Sequence, residues 1–316
     1  MRLPAALLLI LAFGCTTLRA PERPWRPQDG LVQWSRVDSL SGEGVEVFAG
    51  VNEALPLRAW AVRLDPARTR VAVAVSPDTH DVRETVSSFA RRTRACVAVN
   101  GGYFRLGNFP ASAVGLLVQN GRVTAAPTTL QVRDSLRYRT ARAALGLDAA
   151  GRPEVVWAGG DSLRLVRYDA PVPARMGLPD PVLPPGRPWQ PREAMGAGPM
   201  LVRGGNVRVT AAEELFFGSS IPATHPRTAA GVTADGALVF VVVDGRQMAS
   251  RGVNLNELAR LMLEAGARDA LNLDGGGSSA LVVHGVRLNR PLGGTVEREV
   301  MNAFVASCMA GRSDTN

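Results

Sequence analysis

Three apolar runs in this 316-residue sequence end on the same kind of chemistry. Val97-Ala-Val-Asn100 runs into Gly101-Gly102, Val241-Val-Val-Asp244 into Gly245-Arg246, and Leu271-Asn-Leu-Asp274 into Gly275-Gly276-Gly277-Ser278-Ser279. Each sets a polar side chain at the end of a buried strand, followed by glycine, which lets the backbone turn sharply or approach a ligand. Two carboxylates so placed, Asp244 and Asp274, can act as general acid and base, as nucleophile and acid, or as metal ligands. A single Asp-Gly after a strand is ordinarily a turn; its recurrence, with Asn100 as a third instance, points to a site.

A cation stands near them in sequence. Thr228 to Thr233 and Leu238 to Val243 flank Asp235-Gly236, a strong hairpin signal. With a two-residue turn, Ala234 faces Ala237, and counting back sets Arg227 opposite Asp244. His225-Pro-Arg-Thr would then begin its strand beside the Asp244 strand end. Arg227 can grip a phosphate through two parallel hydrogen bonds, and the bland alternative is a salt bridge to Asp244. Thr228 and His225 add a hydroxyl and a titratable imidazole, the alternative for His225 being a capped loop residue. The run from Gly275 to Ser279 offers amides and hydroxyls suited to an anion. It lacks the spacing to Lys-Ser/Thr of a P-loop and the pattern of a dinucleotide fingerprint. Ser162 and Ser250 have no nucleophile-elbow context, and no Cys or His pair has zinc-ligand spacing.

The elements that must hold these groups are most legible in the last third. A helix capped by Asn256, with Leu258, Leu261, Met262 and Ala265 on one face and stopped by Gly266, joins the Asp244 strand to a short strand over Ala270 to Leu273. Such a connection predicts a parallel, right-handed pair, with Asp244 and Asp274 at the same carboxyl edge. Strands are also expected over Ala280 to Val283 and Val286 to Leu288. Upstream, Arg58 to Leu64 and Arg70 to Val75 alternate as strands, Thr85 to Arg92 reads as a short helix, and 95–147 as short strands. Residues 169–192 carry eight prolines and read as a loop. The expected class is α+β: a mixed β-sheet core with few helices and one clear βαβ unit near the C-terminus.

All 36 basic residues are arginine, which excludes Schiff-base chemistry and a P-loop lysine. The net charge of +8 favours anionic partners such as phosphates or acidic glycans. No nucleic-acid partner is expected, since the arginines are scattered and aromatics make up only 5%. Residues 1–15 read as an export signal, with an apolar run from Leu7 to Phe13 too short to span a bilayer. Gly14-Cys15 is either an imperfect lipoprotein site, with membrane attachment through Cys15, or an ordinary cleavage site nearby. The expected location is therefore exported: a periplasmic or cell-envelope lipoprotein, otherwise secreted. Residues 16–42 read as a tether and 43–310 as one domain. Cys96 and Cys308 fit equally a disulfide or two buried thiols.

From roughly residue 45 to 308 the chain resembles the phosphodiester glycosidase family. The resemblance rests on Val99-Asn-Gly-Gly-Tyr-Phe104, Gly196-Ala-Gly-Pro-Met-Leu201, His225-Pro-Arg-Thr-Ala-Ala-Gly231, Val243-Asp-Gly-Arg246, Asn272-Leu-Asp-Gly-Gly-Gly-Ser-Ser279, and Glu297-Arg298 before Asn302-Ala303. It implies hydrolysis of the bond between a sugar anomeric carbon and a phosphate, as in an N-acetylglucosamine-1-phosphodiester, here in cell-envelope or extracellular glycans. Arg227, with Arg246, would neutralise the phosphodiester. Asp244 or Asp274 would stabilise an oxocarbenium-like centre or activate water, Asn100 and the loop amides would orient the sugar, and Tyr103 and Phe104 would stack on it, unless they are core. Gly101, Gly102, Thr228, Gly245, Gly275, Gly276, Gly277, Ser278 and Ser279 would line the substrate, and Glu297 enters only through the family pattern. A divalent cation bridging the carboxylates is left open. Two rivals stand beside this reading: a metal-dependent phosphodiesterase that breaks the P–O bond, and a non-catalytic glycan-phosphate binding protein.

Overall fold

A computed structural model describes residues 25–133, 135–172 and 183–309. The segment expected to be an export signal, Cys15 and part of the proline-rich segment lie outside the described residues. The architecture is α+β, with three main antiparallel sheets and two α-helices among the described residues.

The eight-stranded sheet runs in the order Gln33–Arg36, Val45–Asn52, Leu57–Leu64, Leu238–Val243, Arg227–Thr233, Ala267–Asn272, Met200–Arg203, Asn206–Val207. Its central strand Leu238–Val243 is buried at every position, because one face meets the main core and the other is covered by the helix α2 (Leu255–Glu264). Helix α2 packs Leu258, Leu261 and Met262 against Val239, Val241 and Ala270. Removing one such side chain to alanine costs about 2–5 kcal/mol. The five-stranded sheet has Val97–Asn100 between Leu281–Val283 and Asn302–Cys308, with the helix α1 (Val86–Thr93) on its outer face. The seven-stranded sheet sets Glu193–Gly196 between Arg142–Leu147 and Leu117–Gln119. All three sheets contribute to one core, through residues such as Phe240, Phe304, Trp157 and Met195.

Several local readings shift. The hairpin has a three-residue loop, Ala234 to Gly236, because Thr233 N–H bonds Ala237 O and Gly236 takes φ +82°. The register therefore moves by one, and Arg227 pairs with Val243 rather than Asp244. The cap of α2 is Asn254, two residues before the one expected; its side chain accepts from Glu257 N–H while Glu257 reaches back, a capping box. The strand–helix–strand unit is present, but its strands do not pair. Arg227–Thr233 lies between them, antiparallel to both, so they point the same way one place apart. Asp244 and Asp274 thus still leave the sheet at the same end. Residues 33–36, expected within the tether, form the edge strand of the eight-stranded sheet, with Trp34 and Val32 buried. Cys96 and Cys308 are joined in a disulfide, Cα atoms 5.8 Å apart, tying the Val97–Asn100 strand to the last strand.

Candidate active site

The loop from Asp274 to Ser279 is the centre on which the singled-out residues converge. Asp274 N–H bonds Gly101 O at 3.0 Å, and Gly276 N–H bonds Pro226 O at 2.9 Å, so the loop bridges two of the other motifs. A Cβ on Gly275 would come within 2.9 Å of Pro226 O, and one on Gly245 within 2.8 Å of Pro226 N. At both places glycine is required by close backbone approach.

The Asp274 carboxylate accepts from Gly275 N–H at 2.9 Å and from the Ser278 hydroxyl. Half-buried, it has its pKa pushed up to about 6 by desolvation, against these hydrogen bonds and the Arg298 charge, which pull it down. Asp244 is more enclosed: its Oδ1 accepts from Arg290 N–H at 2.9 Å and Asn289 Nδ2 at 3.2 Å. Burial again pushes its pKa up to about 6. Asn289 also donates to Ser279 O at 2.9 Å, and so couples Asp244 to the far end of the glycine loop.

Three guanidinium groups surround that loop. Arg227 is buried and forms no ion pair among the described residues; the expected alternative of a bridge to Asp244 is not formed. Its donors go to the carbonyls of Val253, Ile221 and Ala223 and, at 3.5 Å, to Asn272 Oδ1. Desolvation pushes its pKa down to about 10, still charged at neutral pH. With nearly all its N–H groups spent, Arg227 supplies charge and cannot form the two-pronged grip expected of it. Arg246 and Arg298 are exposed and lie on the loop: a Cβ on Gly276 would be 3.7 Å from Arg246 Nη2, and one on Gly277 only 2.6 Å from Arg298 Cζ. Arg298 has no hydrogen-bond or ion-pair partner among the described residues. His225 accepts from Arg246 Nη2 through Nδ1 at 2.8 Å and donates from Nε2 to Ser220 O at 2.8 Å, which is the neutral tautomer. Desolvation, with the Arg227 and Arg246 charges, lowers its pKa against the Ser220 bond.

Other residues are placed differently from expectation. Asn100 is fully buried, and both ends of its amide are used. Oδ1 accepts from Thr228 Oγ1 at 2.7 Å and Ala280 N–H at 3.1 Å, while Nδ2 donates to Asp274 O at 2.8 Å. It and Thr228 clamp the Asp274 strand end from below. The loop amides of Gly275, Gly276, Ser278 and Ser279 are all bonded within the protein, which leaves little of the loop backbone to bind an anion. Gly101 and Gly102 pack against Met195 and Asn302, and Gly102 N–H bonds Asn302 Oδ1 at 2.8 Å. Tyr103 donates its hydroxyl to Gly198 O at 2.8 Å, accepts from Asn272 Nδ2 at 2.7 Å, and packs on Phe216. Phe104 packs on the cluster under α1, so both aromatics are partly buried against the core. Glu297 accepts from Ser87 N–H at 2.9 Å and thereby caps α1. Sequence alone gives no role to Asn289, which sits at a structural junction that leaves no local pattern, while Asn272 and Arg298 have only their places in the family strings. Among the described residues no three His, Cys, Asp or Glu side chains are grouped to hold a metal.

A half-buried carboxylate at a strand end, held by a glycine loop under two accessible guanidinium groups, sets an acid–base group beside positive charge that can pair with an anion. The chain belongs to the phosphodiester glycosidase family, whose model matches residues 93–307. A prophage-derived uncharacterised protein of Bacillus subtilis is 31% identical over 228 residues, 71% of this chain and 30% of that protein. The mouse N-acetylglucosamine-1-phosphodiester alpha-N-acetylglucosaminidase is 25% identical over 218 residues, 66% of this chain and 36% of that enzyme. The chain thus spans about a third of the length of these relatives. The catalytic domain of the zebrafish enzyme of that name, auto-inhibited by its pro-peptide, shares the fold with a TM-score of 0.55 at 20% identity, over 87% of this chain and 82% of that one.

Proposed function

We propose that this protein hydrolyses the glycosidic bond of a sugar-1-phosphate diester of the N-acetylglucosamine type, releasing the free sugar and a phosphomonoester. The observation that carries the reading is the seating of Arg246 against Gly276 and Arg298 against Gly277, two and three residues after Asp274, with the Arg298 charge acting on the Asp274 carboxylate. Arg298 and the N–H groups of Arg246 not given to His225 pair with the non-bridging oxygens of the phosphodiester, and Arg227 adds a fixed positive potential. The departing phosphomonoester is a weak base, so neutralising its charge does more than protonating it. Asp274 faces the anomeric carbon as a carboxylate, stabilising positive charge there or taking the proton of the attacking water. Asp244, enclosed by Asn289 and Arg290, holds the loop in register. His225 acts by holding the Arg246 guanidinium.

We also place the protein outside the cytoplasm, on an envelope or extracellular glycan. The apolar N-terminal run and the Cys96–Cys308 disulfide support this, since disulfides persist in oxidising compartments. Lipidation of Cys15 belongs to the same proposal. The test is release of free N-acetylglucosamine from a synthetic N-acetylglucosamine-α-1-phosphodiester by wild type and Asp274→Asn. Release that Asp274→Asn lowers by about a thousandfold or more supports the reading. No release from a folded wild type, across several sugar-1-phosphodiesters, favours the binding-protein alternative.

A further inference from the structure

A cleft of about 860 Å³ opens on the seven-stranded sheet, lined by none of the residues of the candidate active site. Its floor is apolar and formed by buried side chains, including Trp189, Leu165 and Val118. Its rim carries three exposed arginines, Arg122, Arg164 and Arg192. No Asp or Glu lines it, and none of the three arginines forms an ion pair among the described residues. Only Arg192 has a side-chain partner, Asn120 Oδ1 at 3.1 Å. Three guanidinium groups around one concavity, of which only Arg164 has an acidic neighbour in Asp161, call for an anion.

The floor narrows the class. Trp189 turns its Nε1 to Glu154 at 2.7 Å and is only 5% exposed, so it offers no free ring face on which a nucleic-acid base could stack. A basic rim with Asn120, Ser162 and Gln190 among the lining instead suits a sugar chain bearing phosphates, its hydroxyls on these polar groups and its anions on the arginines. The cleft also has a fixed relation to the active site. Arg192 immediately precedes the strand Glu193–Gly196, whose far end packs on Gly101 and Gly102 next to the Asp274 loop. Four residues at about 3.3 Å each set the two places roughly 13 Å apart along that strand, a span for a polymer and not for a monosaccharide.

We propose that this cleft is an accessory site for a neighbouring segment of an anionic, phosphate-bearing glycan whose scissile diester lies at Asp274. The proposal rests on the hydrolase reading for its substrate. Its test uses Arg122→Gln/Arg164→Gln/Arg192→Gln in the full chain, with the urea midpoint checked to match wild type. The probe is a synthetic oligomer of about six N-acetylglucosamine-1-phosphate repeats, with binding measured calorimetrically in the Asp274→Asn background. We expect the triple variant to bind it about tenfold or more weakly, and to lose much of the wild type's sensitivity to salt. Its kcat/KM on a monomeric diester should stay within about twofold while that on the oligomer falls. Equal binding of the oligomer with and without the three arginines overturns the proposal. So does equal affinity of wild type for an uncharged N-acetylglucosamine oligomer. If wild type binds the oligomer but cleaves neither substrate, the hydrolase reading fails while the binding comparison still decides the cleft.

Discussion

Asp244→Asn isolates the cost of the buried carboxylate. Burial lifts its pKa from 3.8 to about 6 in the folded protein. The folded state therefore holds this proton more tightly than the unfolded chain, and the charged form costs stability. The cost is small below pH 4, develops as pH rises between the two pKa values, and is complete above about 6, where it reaches about 3 kcal/mol. Between about pH 4.5 and 7.5 some 2 kcal/mol of it should appear. Asparagine keeps the shape and an oxygen to accept from Asn289 and Arg290 N–H, but carries no charge. Urea unfolding of wild type and variant at both pH values gives two stability differences. Other carboxyls that burial raises, such as Glu46, Glu214 and Glu264, cancel between the two proteins. The variant should gain about 2 kcal/mol on wild type as pH rises. Parallel stability curves would refute the reasoning, because they would mean that Asp244 titrates alike folded and unfolded.

Three further outcomes follow from the site. Gly277→Ala puts a Cβ where the Arg298 guanidinium lies, 2.6 Å from Cζ, at the flexible end of an exposed side chain. The melting temperature should hardly move, while kcat/KM on a diester falls about tenfold or more; unchanged kinetics would remove Arg298 from the site. The pH profile of kcat/KM should drop about tenfold per pH unit below about 6, as Asp274 takes up its proton, and a profile flat to pH 4.5 would contradict that role. Asn100→Ala strands the Thr228 hydroxyl and the Ala280 N–H in the core, which should cost about 2–4 kcal/mol in urea unfolding; a cost under about 0.5 kcal/mol would mean they find other partners.

Period and turn chemistry made the C-terminal elements legible: the hairpin, α2 and the two carboxylate-bearing strand ends appear close to where alternation and capping residues set them. The misses have physical causes. Asp235-Gly236 suits both a two- and a three-residue loop, and only the ladder decides, through Thr233 and Ala237. Asn254 and Asn256 are both good caps; reciprocal bonding with Glu257 selects the first. A strand–helix–strand run specifies direction but not whether another strand inserts, as Arg227–Thr233 does. Within the site, residue types were read more easily than their unspent donors. Arg227 and the loop amides have the right chemistry but have used it on the protein, whereas Arg298 is recognisable only once the chain brings it over Gly277.

The most direct test of the central claim is the reaction of a sugar-1-phosphate diester in ¹⁸O-labelled water, followed by mass spectrometry of both products. Attack at the anomeric carbon, as the Asp274–Arg246–Arg298 arrangement predicts, places the label in the released sugar and leaves the phosphomonoester unlabelled. Label in the phosphate would mean that the P–O bond breaks, and would replace the glycosidase account with a phosphodiesterase.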